Sequence, residues 1–194
     1  RQRQGQSLKP EELAKYHIRA SEWYEQNNEE AEAFQHAVTA KDFNRAAGLA
    51  EKYWRGMNQS FQSAVWLGWV KQLPASLIRT HPVLCTQIGW AFMDAGDVES
   101  SESSLRDAEL CLAGSSEAMT AVDEKEIQTL PARIAFARAY NAQTQRDFSA
   151  TVKYAELAIK LAPEGDQFMH AGAAAILGGS YWANGDLDAA CKSM

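Results

Sequence analysis

Carboxylates, histidines and cysteines are where chemistry would start in this 194-residue chain, since acid–base catalysis, metal binding and nucleophilic attack need them at short spacing. Paired carboxylates stand at Glu11-Glu12, Glu29-Glu30 and Asp123-Glu124. All three fall near expected helix starts, where the positive end of the helix dipole accounts for them without catalysis. His17, His36, His81 and His170 are far apart in sequence, and Cys85, Cys111 and Cys191 form no CxxC pattern, so neither set has zinc-site spacing. The histidines are expected at ordinary surface or partly buried positions, and the cysteines as free buried thiols in a reducing cytoplasm. A phosphate-cradling GxxxxGK[ST] loop is absent, with no glycine directly before a lysine, and no glycine-rich turn follows a strand to bind a dinucleotide. The chain is therefore expected to be no enzyme, with no catalytic residues, metal or cofactor of its own. Aromatics are the stronger signal: six tryptophans, of which Trp23, Trp54 and Trp66 fall on apolar stripes and are expected in the core.

The elements that would carry these residues are helices, and no strand pattern stands out. Pro10 to Gln26 carries Leu13, Tyr16, Ala20, Trp23 and Tyr24 at helical spacing, with Pro10 suited to the first helical position. A second stripe runs through Ala31, Phe34, Ala37 and Val38. A third, capped by Asp42, takes Phe43, Ala46, Ala47, Ala50, Tyr53, Trp54 and Met57, and a fourth takes Phe61, Val65, Trp66, Trp69 and Leu73. Pro74 and Pro82 bracket a connector. Beyond it the helices come in pairs that turn at Gly96-Asp97, Arg146-Asp147 and Gly185-Asp186, with Pro131 either kinking one long segment or starting its second half. Hydrophobic residues at 46% are ample for a core, a net charge of −6 argues against a nucleic-acid or anionic membrane surface, and no apolar run spans a bilayer. The Arg1 to Ser7 leader has no apolar core of a signal peptide, and both ends read as cut from a longer chain.

Aligning the three turns brings Gly89, Ala139 and Gly178 into register, and Phe92, Ala142 and Tyr181 three residues later. Downstream, Ala108, Ala158 and Ala190 supply the small residues that closely packed antiparallel helices need. This pattern resembles the tetratricopeptide repeat, although the turns at Asp42, Asp97, Asp147 and Asp186 are all more widely spaced than its roughly 34 residues. The resemblance implies an all-α fold, a right-handed superhelix of helical hairpins, with residues 1–27 a linker or capping helix after an upstream module and residues 28–194 the repeats, continuing past the fragment. It also implies that the first helix of each hairpin lines a concave face, at Thr86, Trp90 and Met93, then Arg133, Phe136, Tyr140 and Gln143, then Trp182. Such a mixed aromatic and polar row either contacts an effector, stacking an apolar or sugar-like ligand, or serves packing alone.

Three segments carry a more specific resemblance: HIRASEWYEQNNEEAEAFQHAVTAKDFNRAAGLAEKYW from His17 to Trp54, WLGWVKQLPASLIRTHPVL from Trp66 to Leu84, and LGGSYWANGDLDAA from Leu177 to Ala190. They resemble the linker helix and first repeats of the large ATP-dependent LuxR-type bacterial transcriptional regulators. The chain departs from the family at Lys71-Gln72, where an acidic pair is commoner, and at Ser100, Ser101, Ser103 and Ser104. The resemblance implies a cytoplasmic, effector-sensing and signal-transducing domain that binds a small molecule, a protein or a peptide. ATP would then belong to an ATPase module, and DNA to a helix-turn-helix, both outside this chain. Self-association through an apolar end bearing Leu187 and Cys191 is a further expectation. The alternative is a free-standing scaffold that docks peptides or proteins.

Overall fold

A single turn recurs through the chain, and it explains how the helices follow one another. At Asn28, Lys41, Phe61, Gly96, Arg146 and Gly185 the backbone enters the left-handed region, with φ between 58° and 84°. The amide after each bonds back five residues, as from Asp97 to the Phe92 carbonyl (2.9 Å) and from Asp147 to that of Ala142 (2.9 Å). This closure satisfies carbonyls that a helix end leaves open. At four of the turns an aspartate then starts the next helix by accepting the amide three residues on: Arg45 from Asp42 (3.1 Å), Ser100 from Asp97 (3.0 Å), Ala150 from Asp147 (2.9 Å) and Ala189 from Asp186 (3.0 Å).

The computed structural model describes residues 9–114 and 124–193. Asp123, the Arg1 to Ser7 leader and Met194 lie outside the described residues. The described chain is all-α, with the helices α1 (Pro10–Gln26), α2 (Glu30–Thr39), α3 (Phe43–Gln59), α4 (Ser63–Val70), α5 (Ala75–Ile78), α6 (Pro82–Asp94), α7 (Val98–Ala113), α8 (Glu124–Thr144), α9 (Phe148–Leu161), α10 (Gln167–Ala183) and α11 (Leu187–Ser193). None of them is long and apolar enough to cross a membrane. The chain divides into two compact units, up to Ile78 and from Arg79 onward, so α1 shares its unit with α2 to α5.

In the first unit α1, α2, α3 and α4 follow one another through the recurring turn. Trp66, fully buried, donates its Nε1 to the Ala50 carbonyl (2.9 Å) and packs at 4.6 Å against Trp54. Ser21 is also fully buried; its hydroxyl donates to the Ala33 carbonyl (2.7 Å) and accepts Nε of Arg45 (2.8 Å), tying α1 to α2 and α3. Two expectations are corrected here. Trp23 is 57% exposed, because α1 turns Ser21 inward and leaves Leu13, Tyr16 and Trp23 on the outer side. Phe61 is not on the α4 stripe but is the left-handed residue of the preceding turn, 96% exposed.

In the second unit α6 pairs with α7, α8 with α9, and α10 with α11, and the first helices lie side by side, α8 touching both α6 and α10. The aligned small residues permit the close approach. A Cβ on Gly89 would lie 2.6 Å from Cδ2 of Leu105, and Ala139, Ala108 and Ala158 are fully buried. Pro131 stands inside α8, which continues through it to Thr144. The thioether of Met169 and the ring of Phe136 fill the space among Ala132, Ala155, Ala173 and Leu177. Successive hairpins are stapled by Arg138 of α8, which reaches Glu102 through Nε (3.0 Å) and Nη2 (2.8 Å) and Glu109 through Nη1 (2.6 Å), both on α7. Hydrogen bonds to Glu109 and Glu102 outweigh burial and hold the guanidinium firmly protonated. Of the cysteines only Cys85 is buried; Cys111 is half-buried, where burial pushes its thiol up, and Cys191 is exposed.

Candidate functional site

The residues expected on the concave face lie on α6, α8 and α10, the three first helices of the second unit. The structure brings some of them into contact. The Trp90 indole stacks on Phe136 at 5.3 Å and 19° from parallel, and its Nε1 donates to the Arg133 carbonyl (3.1 Å). Phe136 is itself lodged against α10: a Cβ on Gly172 would stand 2.8 Å from its Cε2. Trp90, Phe136 and Gly172 thus form a continuous row across the three helices.

Other members divide by exposure. Thr86 is 1% exposed and its hydroxyl donates to the Pro82 carbonyl (2.8 Å), so that side chain is committed within α6. Met93 is buried, and Phe136 presents little surface because Trp90 and Gly172 cover it. Trp90, Arg133 and Gln143 are half-buried, and Tyr140 and Trp182 are exposed. Arg133 and Tyr140 are seven residues apart on α8 and so share one line along it. The Arg133 guanidinium makes a long contact, 4.0 Å, with Glu126. The surface left to solvent is part of an indole, a guanidinium and a phenol, able to stack on an apolar ring and hydrogen-bond its polar rim.

Two arrangements in the first unit are not visible in the sequence. His17 and His36, distant along the chain, meet with Nδ1 atoms 2.7 Å apart, one ring donating and the other accepting, and His36 stacks on Tyr24 at 5.2 Å. Among the described residues no group of three potential metal ligands accompanies them. A solvent-open cleft of about 470 Å³ is lined by Ile18, Glu22, Glu25, Asp42, Arg45, Gly48 and Leu49. Its charges are largely committed to one another: Glu25 accepts from Arg45 (2.6 Å) and Lys52 (2.7 Å), and Asp42 caps α3. The hydrogen bond from Lys52, with that from Arg45, holds the Glu25 carboxyl below the usual carboxylate range against the opposing effect of burial. Ion pairing of this kind fixes α1 to α3 and leaves little for a ligand.

Comparison with protein-family models, with curated proteins and with solved structures finds no match to this chain.

Proposed function

We propose that this chain is the effector-sensing repeat domain of an ATP-dependent LuxR-type transcriptional regulator, a non-catalytic, cytoplasmic module in which the hairpins wind as a right-handed tetratricopeptide-like superhelix. The reading rests first on the sequence resemblance from His17 to Trp54, Trp66 to Leu84 and Leu177 to Ala190. The recurring left-handed turn and the side-by-side first helices support it. The observation that carries the binding role is the half-buried indole of Trp90, held by Phe136 and by the Arg133 carbonyl. An aromatic face fixed in this way costs little entropy when a ligand stacks on it.

In this reading a small effector, or a peptide of similar chemistry, lies across α6 and α8 on Trp90, Arg133 and Tyr140, with Gln143 at its edge. Signal transfer is a population shift: the ligand bridges neighbouring hairpins and so favours the hairpin packing in which both walls of its site are in place. ATP and DNA would be handled by other modules of the regulator. The experiment is a thermal-shift screen against sugars, oligosaccharides, amino acids and short peptides, in which a hundredfold excess over Kd stabilises by roughly 2.7 kcal/mol. Hits that vanish in Tyr140→Ala and Arg133→Gln support the site. Hits indifferent to both changes, or silence across the panel, would remove it.

A further inference from the structure

The two arginines in the middle of α8 are used differently. Arg138 spends its guanidinium on Glu102 and Glu109 of α7. Arg133 is half-buried, yet its guanidinium donates no hydrogen bond to a described residue, since the contact with Glu126, at 4.0 Å, is too long to be one. A guanidinium in this position has given up part of its water without gaining an acceptor, and its planar fork of donors is open. The Tyr140 hydroxyl, one heptad further along the same line, likewise bonds to no described residue. Cations are scarce around them. Neither α6 nor α10, which flank α8, contains a lysine or an arginine, and Lys125 stands two turns before Arg133.

We propose that the ligand class of this surface is a monocarboxylate on a two-ring aromatic system, its carboxylate on the Arg133 guanidinium and its rings laid along α8 between Trp90 and Tyr140. The inference rests on the effector reading above and narrows it to one chemistry. Charge is the first ground. A ligand that covers Arg133 strips the remaining water from a cation; a neutral molecule leaves that cost standing, whereas a carboxylate offsets it with two parallel N–H···O bonds in the plane of the fork. Glu126, 4.0 Å from the guanidinium, opposes a second negative charge and so favours a monoanion over a phosphate. Ring chemistry is the second ground. Phe136 stacks on one face of the Trp90 indole, and the indole N–H is spent on the Arg133 carbonyl. What the indole has left for a ligand is apolar ring surface, and the residue that holds it is the one that carries the cation. Length is the third ground. Arg133 and Tyr140 are seven residues apart, about 10 Å along a helix, the span of two fused rings with a short carboxylate arm.

The test is isothermal titration of the full chain with indole-3-acetate and naphthalene-2-acetate, each beside its primary amide, which keeps the shape and loses the charge. Each acid is expected to bind on the order of tenfold more tightly than its amide. Arg133→Gln is expected to bring the acid down to the level of the amide, and binding of the amide to that variant verifies that the surface is still folded. Tyr140→Ala is expected to weaken acid and amide by a similar factor. Amides that equal the acids in the parent chain, with both weakened by Tyr140→Ala, would overturn the carboxylate and leave the effector reading standing. An acid preference that survives Arg133→Gln would overturn the assignment to this guanidinium. Binding of neither acid nor amide at millimolar concentration would overturn the inference as well; a sugar or peptide hit in the thermal-shift panel would then keep the effector reading, and silence there would remove both.

Discussion

The ring planes of Trp90 and Phe136 lie 19° apart with centroids 5.3 Å from one another, and through this contact α6 and α8 share one aromatic layer. Because the Trp90 Nε1 also donates to the Arg133 carbonyl, both ends of the indole are fixed while part of it faces water. The same side chain thus serves packing and the proposed effector surface, so its substitution alone does not separate the two roles.

A comparison with Tyr140 separates them. Trp90→Ala removes the stack and the hydrogen bond and is expected to lower stability by about 2–3 kcal/mol in urea unfolding, less than the roughly 3–5 kcal/mol of a fully buried aromatic. Tyr140→Ala, at an exposed position, is expected to change stability by no more than about 0.5 kcal/mol. If the surface binds an effector, Tyr140→Ala lowers affinity with stability intact. Equal and small effects of both variants on unfolding would show that the Trp90 contact is not part of the fold.

Glycines test the close approach of the hairpin helices, because one substitution carries opposite signs at different sites. Gly89→Ala puts a methyl 2.6 Å from Cδ2 of Leu105 in the α6–α7 contact, and overpacking of this kind costs about 1–3 kcal/mol, more than the roughly 1 kcal/mol of helix propensity gained. Gly48→Ala on α3 meets nothing within 4 Å and keeps only the propensity gain. Thermal melts are expected to fall for the first and rise for the second. A Gly89→Ala chain as stable as the parent would mean that Leu105 moves aside at no cost.

The turns are legible in the sequence because their chemistry is local: Asp42, Asp97, Asp147 and Asp186 each carry a capping carboxylate at the place where apolar periodicity restarts. The aligned Gly89, Ala139 and Gly178 are legible for the same reason, since close packing demands small side chains. Periodicity alone does not say which side of an amphipathic helix is covered, and so it points Trp23 and Leu13 inward although Ser21 holds that side of α1. Phe61 fits the α4 stripe by spacing, yet the preceding helix ends on it in the left-handed conformation. Register finds the first-helix row but not its cover: Thr86 and Met93 are buried, whereas Tyr140 and Trp182 remain exposed. The Arg138 staple has one sequence signal, Glu102 and Glu109 a heptad apart on α7, and nothing local points to Arg138 as their partner.

The Glu25 cluster makes the first unit sensitive to acid. Native Glu25 is held below the usual carboxylate range, by Lys52 first and Arg45 next, whereas in the unfolded chain it titrates near about 4.3. Between those two values the unfolded chain binds more protons, so the contribution of this group to stability is complete above the unfolded pKa and is lost as pH falls through the native one. The urea midpoint is therefore expected to drop as pH is lowered from about 6 toward about 3. Glu25→Gln keeps the shape but not the charge, leaving Arg45 and Lys52 without their anion, and is expected to cost about 1–2 kcal/mol at neutral pH. The two midpoints should converge on acidification, because the parent loses what the variant already lacks. A parent–variant gap that stays constant down to about pH 3 would show that the ion pairs of Glu25 contribute nothing that depends on its charge.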